Sequence, residues 1–528
     1  MSNVSTSQGL SQENWFNLAA SVGTKNANMS KQNMLRTGMF LTASYGFDNW
    51  AYIEGTIRNE KTSTLKKGNN SFWYPSASAS ILFTELMKDR KPSWYDYGKI
   101  RASYGIVGNA PEIYRANLAY SQGNLQHGDT YIYNYMSTSV GNESIKPEKK
   151  YEFEIGLESK FFNNRLGFEF SYYHNDIKDQ ILQTTAAYSM GAQSMLMNVG
   201  ELTNSGAEFS IYGTPFMNKD WRVDLRANIA VNKNKVKKLA DGLDVLSHAN
   251  WDNGAATLES HVGEPMGDFY TYTWKTDENG NRIVGADGLY ITDTSERHKV
   301  GNAMPDAVGG FAASVSYKNF TLDMSFDYRI GGDVINQPWQ YYMDTGIIKD
   351  AVGARDYLSG GLFYYSTTES VDDKASIVRV DPSQVPNYQR GVTMIDGHYV
   401  WDNGVILPGV KEDGTPNDII TTQFAINDEH YGWGTSASKS YMEAIQKNSY
   451  VKCREISLSY QLPVEWTKRF GCSNLTVSAF ARNPFYLYRT LKLFDSETTD
   501  GTNWIYQAQV GGSTASARTF GVSLRASF

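Results

Sequence analysis

The chain is short of the residues that brace or break a soluble fold. Its 528 residues include only 2 cysteines, so no disulfide framework can hold it together. Cys453 and Cys472 open two neighbouring strand patterns joined near residues 463–473. If those strands pair antiparallel at about 3.3 Å per residue, the two thiols lie roughly 30 Å apart and no bond between them is expected. Nowhere do 18 consecutive apolar residues occur, which rules out a spanning helix. Basic residues do not outnumber acidic ones (49 against 56, net charge −7), so there is no footprint for a polyanion and no nucleic-acid partner is expected. Charged residues, at 20%, are too few for charge-driven disorder, and neither a collagen nor a heptad repeat is present. The 7 histidines (His127, His174, His248, His261, His298, His398, His430) never adopt a paired metal-ligand spacing. HExxH, GxSxG and phosphate-binding glycine loops are missing, so neither an enzyme nor a cofactor is expected. The opening MSNVSTSQGL has no basic stretch followed by an apolar one, so the expectation is a cytoplasmic chain or a piece of something longer.

What the chain has in quantity is aromatic residues (35 Tyr, 24 Phe, 12 Trp) and alternation of period two. Tyr151, Phe153, Ile155 and Leu157 alternate with Glu152, Glu154, Gly156 and Glu158. Phe320, Leu322, Met324, Phe326, Tyr328 and Ile330 alternate with Thr321, Asp323, Ser325, Asp327 and Arg329. The chain ends on Phe520, Val522, Leu524, Ala526 and Phe528 against Gly521, Ser523, Arg525 and Ser527. A soluble β-sandwich also alternates, but its strands average about five or six residues. Here many run to ten or more, with charges of both signs on one face and aromatics at the ends of the other. A transmembrane barrel has that pattern, because lipid leaves the backbone without partners and the sheet must close.

The fold expected is therefore all-β: a transmembrane antiparallel β-barrel with long extracellular loops. Short turns at Asp48–Asn49, 162–164, 214–219, Lys318 and 463–473 are assigned to the periplasm. Long segments at 109–148, 234–307, 331–448 and 486–517 are assigned outside. The expected spans are 34–47, 50–60, 74–84, 98–107, 149–161, 165–177, 203–213, 220–233, 308–317, 319–330, 450–462, 474–485 and 518–528. GDFYTYTWK (267–275) also reads as a strand but is placed within a loop above the barrel. About 13 strands is an odd number, with ends on opposite sides, which suits the C-terminal portion of a larger barrel.

Five segments then carry a resemblance. RASYGIVGN (Arg101–Asn109), NVGELTNSGAEFSIYGTP (Asn198–Pro215), SYKNFTLDMSFDYRIGG (Ser316–Gly332), REISLSYQLP (Arg454–Pro463) and RTFGVSLRASF (Arg518–Phe528) resemble, in order, SusC/RagA-like TonB-dependent outer-membrane transporters. The terminal Phe528 looks like the barrel-assembly signal of that family. The resemblance implies a 22-stranded barrel, with about nine strands, the plug domain and the TonB-contacting segment lying outside this sequence. It divides the chain into residues 1–33, an extracellular loop segment, and 34–528, the C-terminal part of the barrel. It further implies TonB acting through the plug, a SusD-like surface lipoprotein over the mouth, and import of an oligomeric nutrient through the outer membrane. Oligosaccharide is the first expectation for the ligand and oligopeptide the second. A non-transporting all-β surface binding protein remains the competing class.

For a sugar, with flat C–H faces and hydroxyl edges, aromatic platforms beside short polar groups are suitable. The long loops offer NQPWQYYMD, HYVWDNG, HYGWG and DGTNWIYQ. The candidate substrate-binding residues are Trp339, Tyr341, Tyr342, Asp344, Trp401, Asp402, Trp433 and Trp504. The alternative for each is a place in the loops' own aromatic core or at a protein interface. Lumen charges (Glu152, Glu154, Arg222, Asp224, Asp323, Asp327, Arg329) can steer a solute, but pairing across strands is the commoner use. In Asp277–Gly288, Asp277, Asn279 and Asn281 match the start of a calcium loop. Arg282 and Gly288 fall where that loop needs Gly and Glu, so a turn-rich hairpin is expected instead.

Overall fold

A computed structural model describes residues 2–6, 8–13, 17–23, 25–29, 32–116, 120–127, 129–136, 139–185, 194–240, 242–370, 372–432, 439–491, 493–499, 501, 503–511 and 516–528. Thirteen long strands follow one another in a single sheet: β1 (Arg36–Phe47), β2 (Ala51–Thr62), β3 (Ser71–Ile81), β4 (Tyr95–Asn109), β5 (Glu148–Phe161), β6 (Leu166–Thr185), β7 (Ser194–Met217), β8 (Trp221–Lys238), β9 (Ala307–Tyr317), β10 (Phe320–Ile330), β11 (Tyr450–Gln461), β12 (Asn474–Arg482) and β13 (Thr519–Ser527). Each pairs antiparallel with the next. These are the expected spans, with ends shifted by a few residues except in β6 and β7, which run well past them.

Among the described residues β1 and β13 have no strand on their outer sides, so the wall stays open. At its short-turn end, residues that tolerate left-handed backbone reverse the chain: Asp48 (φ 45), Asn49 (φ 59), Asn163 (φ 58), Asn164 (φ 59) and Lys318 (φ 50).

Alternation assigns the two faces. On β13, Phe520, Val522 and Leu524 are 71%, 74% and 68% exposed. A sandwich would press such residues against a second sheet; here they face outward, where a membrane supplies the apolar phase. Aromatic pairs edge this face at the short turns, with ring centroids 5.6 Å apart for Phe47 and Trp50, 4.4 Å for Trp221 and Tyr317, and 4.6 Å for Phe320 and Tyr460.

The opposite face is polar and internally paired. Arg101 on β4 reaches Glu154 on β5 (2.8 Å) and Glu169 on β6 (2.9 Å), and donates to Ser171 Oγ (2.6 Å). Asp323 accepts from Ser314 Oγ at 2.6 Å, Arg222 pairs with Asp224 at 2.7 Å, and Arg454 bridges Asp327 and Glu497.

Above the wall, the long loops are ordered by a core of their own. Val245–Trp251, Ala256–His261, Asp268–Trp274 and Thr292–Asn302 form a four-stranded sheet that includes the stretch expected to lie above the barrel. It packs Trp251, Leu258 and Phe269 against Ile335, Trp339, Met343 and Ala444 of the next loop and Ala508 of the last. Full burial of Leu258 and Phe269 contributes roughly 1.5–3 kcal/mol each. Asp277 accepts the backbone N–H groups of Asn279 (2.9 Å) and Asn281 (2.8 Å), so its carboxylate closes a turn. Both cysteines are buried thiols.

Candidate functional site

The loop cap is organised around one short helix and one carboxylate. Asn336 caps the helix Gln337–Asp344 by accepting the Trp339 N–H at 3.1 Å, and Pro338 fits the first turn, where no N–H is needed. The helical period then sends Trp339, Gln340 and Met343 inward. Asp252, at the end of a loop strand, accepts from Tyr341 Oη (3.0 Å) and Gln337 Nε2 (3.3 Å), and also from the Tyr441 hydroxyl. Trp251 Nε1 donates to Gln509 Oε1 at 3.0 Å, and Ile335 and Ala508 bond through their backbones at 2.9 Å. Three loops distant in sequence thus share hydrogen bonds as well as apolar contact.

The candidate residues fall into distinct environments. Trp339 is buried in the loop core, its ring edge-on to Tyr431 at 5.5 Å. Tyr341 spends its hydroxyl on Asp252, while Tyr342 is partly exposed and stacks on Phe494 at 5.9 Å. Asp344 is half-buried at the helix C-terminus. Trp504 meets His248 edge-on at 4.8 Å. Trp401 and Asp402 stand in a separate lobe built on Phe363, Val380, Val385 and Val400. Asp402 is only 5% exposed and holds Arg390 (Nε at 2.9 Å), Tyr388 Oη (3.1 Å) and the Tyr357 N–H (3.2 Å). Beside it Trp401 opens to solvent, near Tyr399 and Met394, which are also exposed. Trp433 lies outside the described residues.

A cluster that sequence reasoning did not single out centres on His430. Its ring stacks on Tyr290 at 5.5 Å, packs against Trp274 at 4.6 Å, and Nε2 accepts the Tyr290 N–H at 3.1 Å. Burial lowers its pKa to about 4, against the opposing fields of Glu443 and Asp287. Burial likewise lowers His248 to about 4, where it faces Ser260 Oγ at 2.8 Å. Tyr431, which donates to Glu443, is pushed far above the usual phenol range, first by burial and then by that carboxylate. Only the stretch HYGWG drew notice in the sequence, and its partners at Trp274 and Tyr290 carry no local signal.

Below the cap, the polar face forms a groove of about 650 Å³ between β4 and β8. Carboxylates (Glu152, Glu154, Glu169, Glu208), amides (Asn175, Asn204, Asn232) and Tyr173 line it. These groups suit a hydrated, hydrogen-bonding solute. Among the described residues no group of three or more His, Cys, Asp or Glu side chains is placed to hold a metal ion.

Comparison with known proteins agrees with this geometry. The family described as TonB dependent receptor-like, beta-barrel matches residues 5–402. The TonB-dependent receptor P3 of Formosa agariphila is 29% identical over 327 residues, which cover 56% of this chain and 32% of that receptor. The TonB-dependent receptor SusC of Bacteroides thetaiotaomicron is 28% identical over 328 residues, covering 57% of this chain and 32% of SusC. The chain thus matches about a third of the length of these relatives. The solved structure of the RagAB peptide transporter superposes with a TM-score of 0.67 at 21% identity, covering 96% of this chain and 48% of that one. With a matching family profile over most of its length and a wall of membrane-spanning hairpins, the chain belongs to the TonB-dependent receptor-like β-barrel family of the outer membrane.

Proposed function

We propose that the chain supplies the C-terminal wall and the extracellular loops of a TonB-dependent importer for an oligomeric nutrient, with oligosaccharide as its cargo. The carrying observation is the pairing of two kinds of surface: ordered loops with solvent-exposed aromatics at Trp401, Tyr399 and Tyr342, and a wall groove lined by carboxylates and amides. Aromatic faces match the C–H planes of sugar rings, and amide and carboxylate groups match their hydroxyls. In this reading polypeptide outside these 528 residues closes the barrel, plugs it and receives force from TonB. A SusD-like surface lipoprotein covers the mouth. Its docking is assigned to the exposed apolar side chains of this region, Leu358 at 95% with Tyr357, Val392 and Met394; exposed apolar surface marks an interaction site.

Oligopeptide is the second reading, prompted by the peptide transporter among the similar folds. Titration calorimetry on the intact transporter complex, with an oligosaccharide panel and an oligopeptide panel, separates the two. Saturable heat with glycans alone is the expected result. Saturable heat with peptides alone transfers the assignment to them, and no binding of either class removes the import reading.

A further inference from the structure

On the outward face of the wall, small side chains replace large ones across β7, β8 and β9. In one cross-strand row Gly213 on β7 stands opposite Leu225 on β8 and Ala313 on β9, and in the adjacent row Ile211 stands opposite Ala227 and Phe311. Gly213, Ala227 and Ala313 form a low floor, which Phe162, Leu166, Ile211, Leu225 and Phe311 surround. The result is an apolar hollow of about 700 Å³. It adjoins the turn that starts at Phe162, where the wall meets the aromatic pairs of the short-turn end.

Arg165 lines the same hollow at its turn-side rim. Its side chain is exposed, and among the described residues it makes no hydrogen bond and no ion pair. Asp96, at the start of β4, accepts the Asn164 N–H of this turn at 2.9 Å. A guanidinium left open beside an apolar depression, at the edge of a membrane, is matched by a molecule with a hydrocarbon tail and an anionic head. Arginine binds phosphate through paired N–H donors, a geometry lysine lacks.

We propose that this hollow binds one glycerophospholipid of the periplasmic leaflet. An acyl chain lies over Gly213, Ala227 and Ala313, and the phosphate rests on the Arg165 guanidinium. The rest of the outward face holds ordinary, exchanging lipid. Charge complementarity favours an anionic headgroup over a zwitterionic one.

Native mass spectrometry of the intact transporter, released from nanodiscs of mixed phosphatidylglycerol and phosphatidylcholine, tests this. The wild-type protein should retain one phosphatidylglycerol that resists detergent exchange. Ala313→Phe, which fills the floor, should lose it, whereas Ala479→Phe, outward-facing on β12 and outside the hollow, should keep it. Arg165→Gln should weaken retention about tenfold, the scale of one charge-assisted hydrogen bond. Retention of shape in all variants is checked by heat-modifiable gel mobility. Equal retention in all four proteins overturns the proposal, as does a loss in Ala479→Phe equal to that in Ala313→Phe. Retention without preference between the two headgroups overturns the role of Arg165.

Discussion

At the scale of single residues, neighbouring aromatics in the same loops do different work. Trp339 is 8% exposed inside the cap, whereas Trp401 is 39% exposed on the lobe. Trp339→Ala should destabilise the cap by about 3–5 kcal/mol, the usual cost of emptying an aromatic core site. That loss will show as faster proteolysis of the loops in the folded barrel. Trp401→Ala should leave proteolysis unchanged and weaken ligand binding in calorimetry; unchanged affinity would remove it from the binding surface. The buried histidines set a pH dependence. His248 and His430 have an ordinary pKa near 6.5 and are held at about 4 by burial. Below 6.5 the opened loops take up protons that the closed cap refuses. The stability of the cap is therefore complete above that pH and declines as pH falls toward 4, by at most about 1.4 kcal/mol per pH unit for each histidine. Amide protection factors in 245–302, 423–432 and 439–445, referred to the intrinsic exchange rate at each pH, should fall between pH 7 and pH 5, and His430→Gln should flatten part of that slope.

At the scale of elements, the wall was legible because lipid and water impose a strict period of two on each strand. The alternation of Phe320–Ile330 and the turn at Lys318 mark β10 and its turn without reference to anything distant. The ends of β6 and β7 were not legible. A bulge between Ile177 and Gln180, with Asp179 at φ 55, interrupts the alternation, after which the hairpin continues above the membrane to Thr185. The cap was illegible for a different reason: Asp252 meets Tyr441 across 189 residues, and no local pattern announces such a contact. Trp339 and Trp401 likewise look equivalent in sequence, since both sit among Asp, Asn and Gln. The last loop is tied to the wall by charge. Lys452 on β11 is 1% exposed and reaches Glu497, Ser516 Oγ (2.7 Å) and Asp495 (3.8 Å). Lys452→Met takes the buried cation from Asp495 and leaves Glu497 to Arg454 alone, a loss toward the lower end of the about 3–5 kcal/mol typical of breaking a buried pair. Segment 483–518 should then become protease-sensitive while the heat-modifiable mobility of the barrel persists.

At the scale of the whole molecule, the decisive feature is the pair of open edges. β1 and β13 each present unpaired backbone donors and acceptors along their outer sides, among the described residues. In hydrocarbon such groups cost several kcal/mol apiece, so a spanning sheet must close on itself. The 528 residues expressed alone should therefore fail to reach a heat-resistant folded form in detergent, and should aggregate through these edges. Coexpression with a polypeptide supplying further strands should convert them to a compact, heat-modifiable species. Gel mobility before and after boiling, with and without that polypeptide, gives the answer directly. A chain that is monodisperse without detergent would contradict the membrane wall itself. A chain that folds in detergent unaided would show instead that β1 and β13 find each other, making a smaller barrel with a narrower lumen. The two outcomes separate whether the strands meet lipid from whether they need further strands to do so.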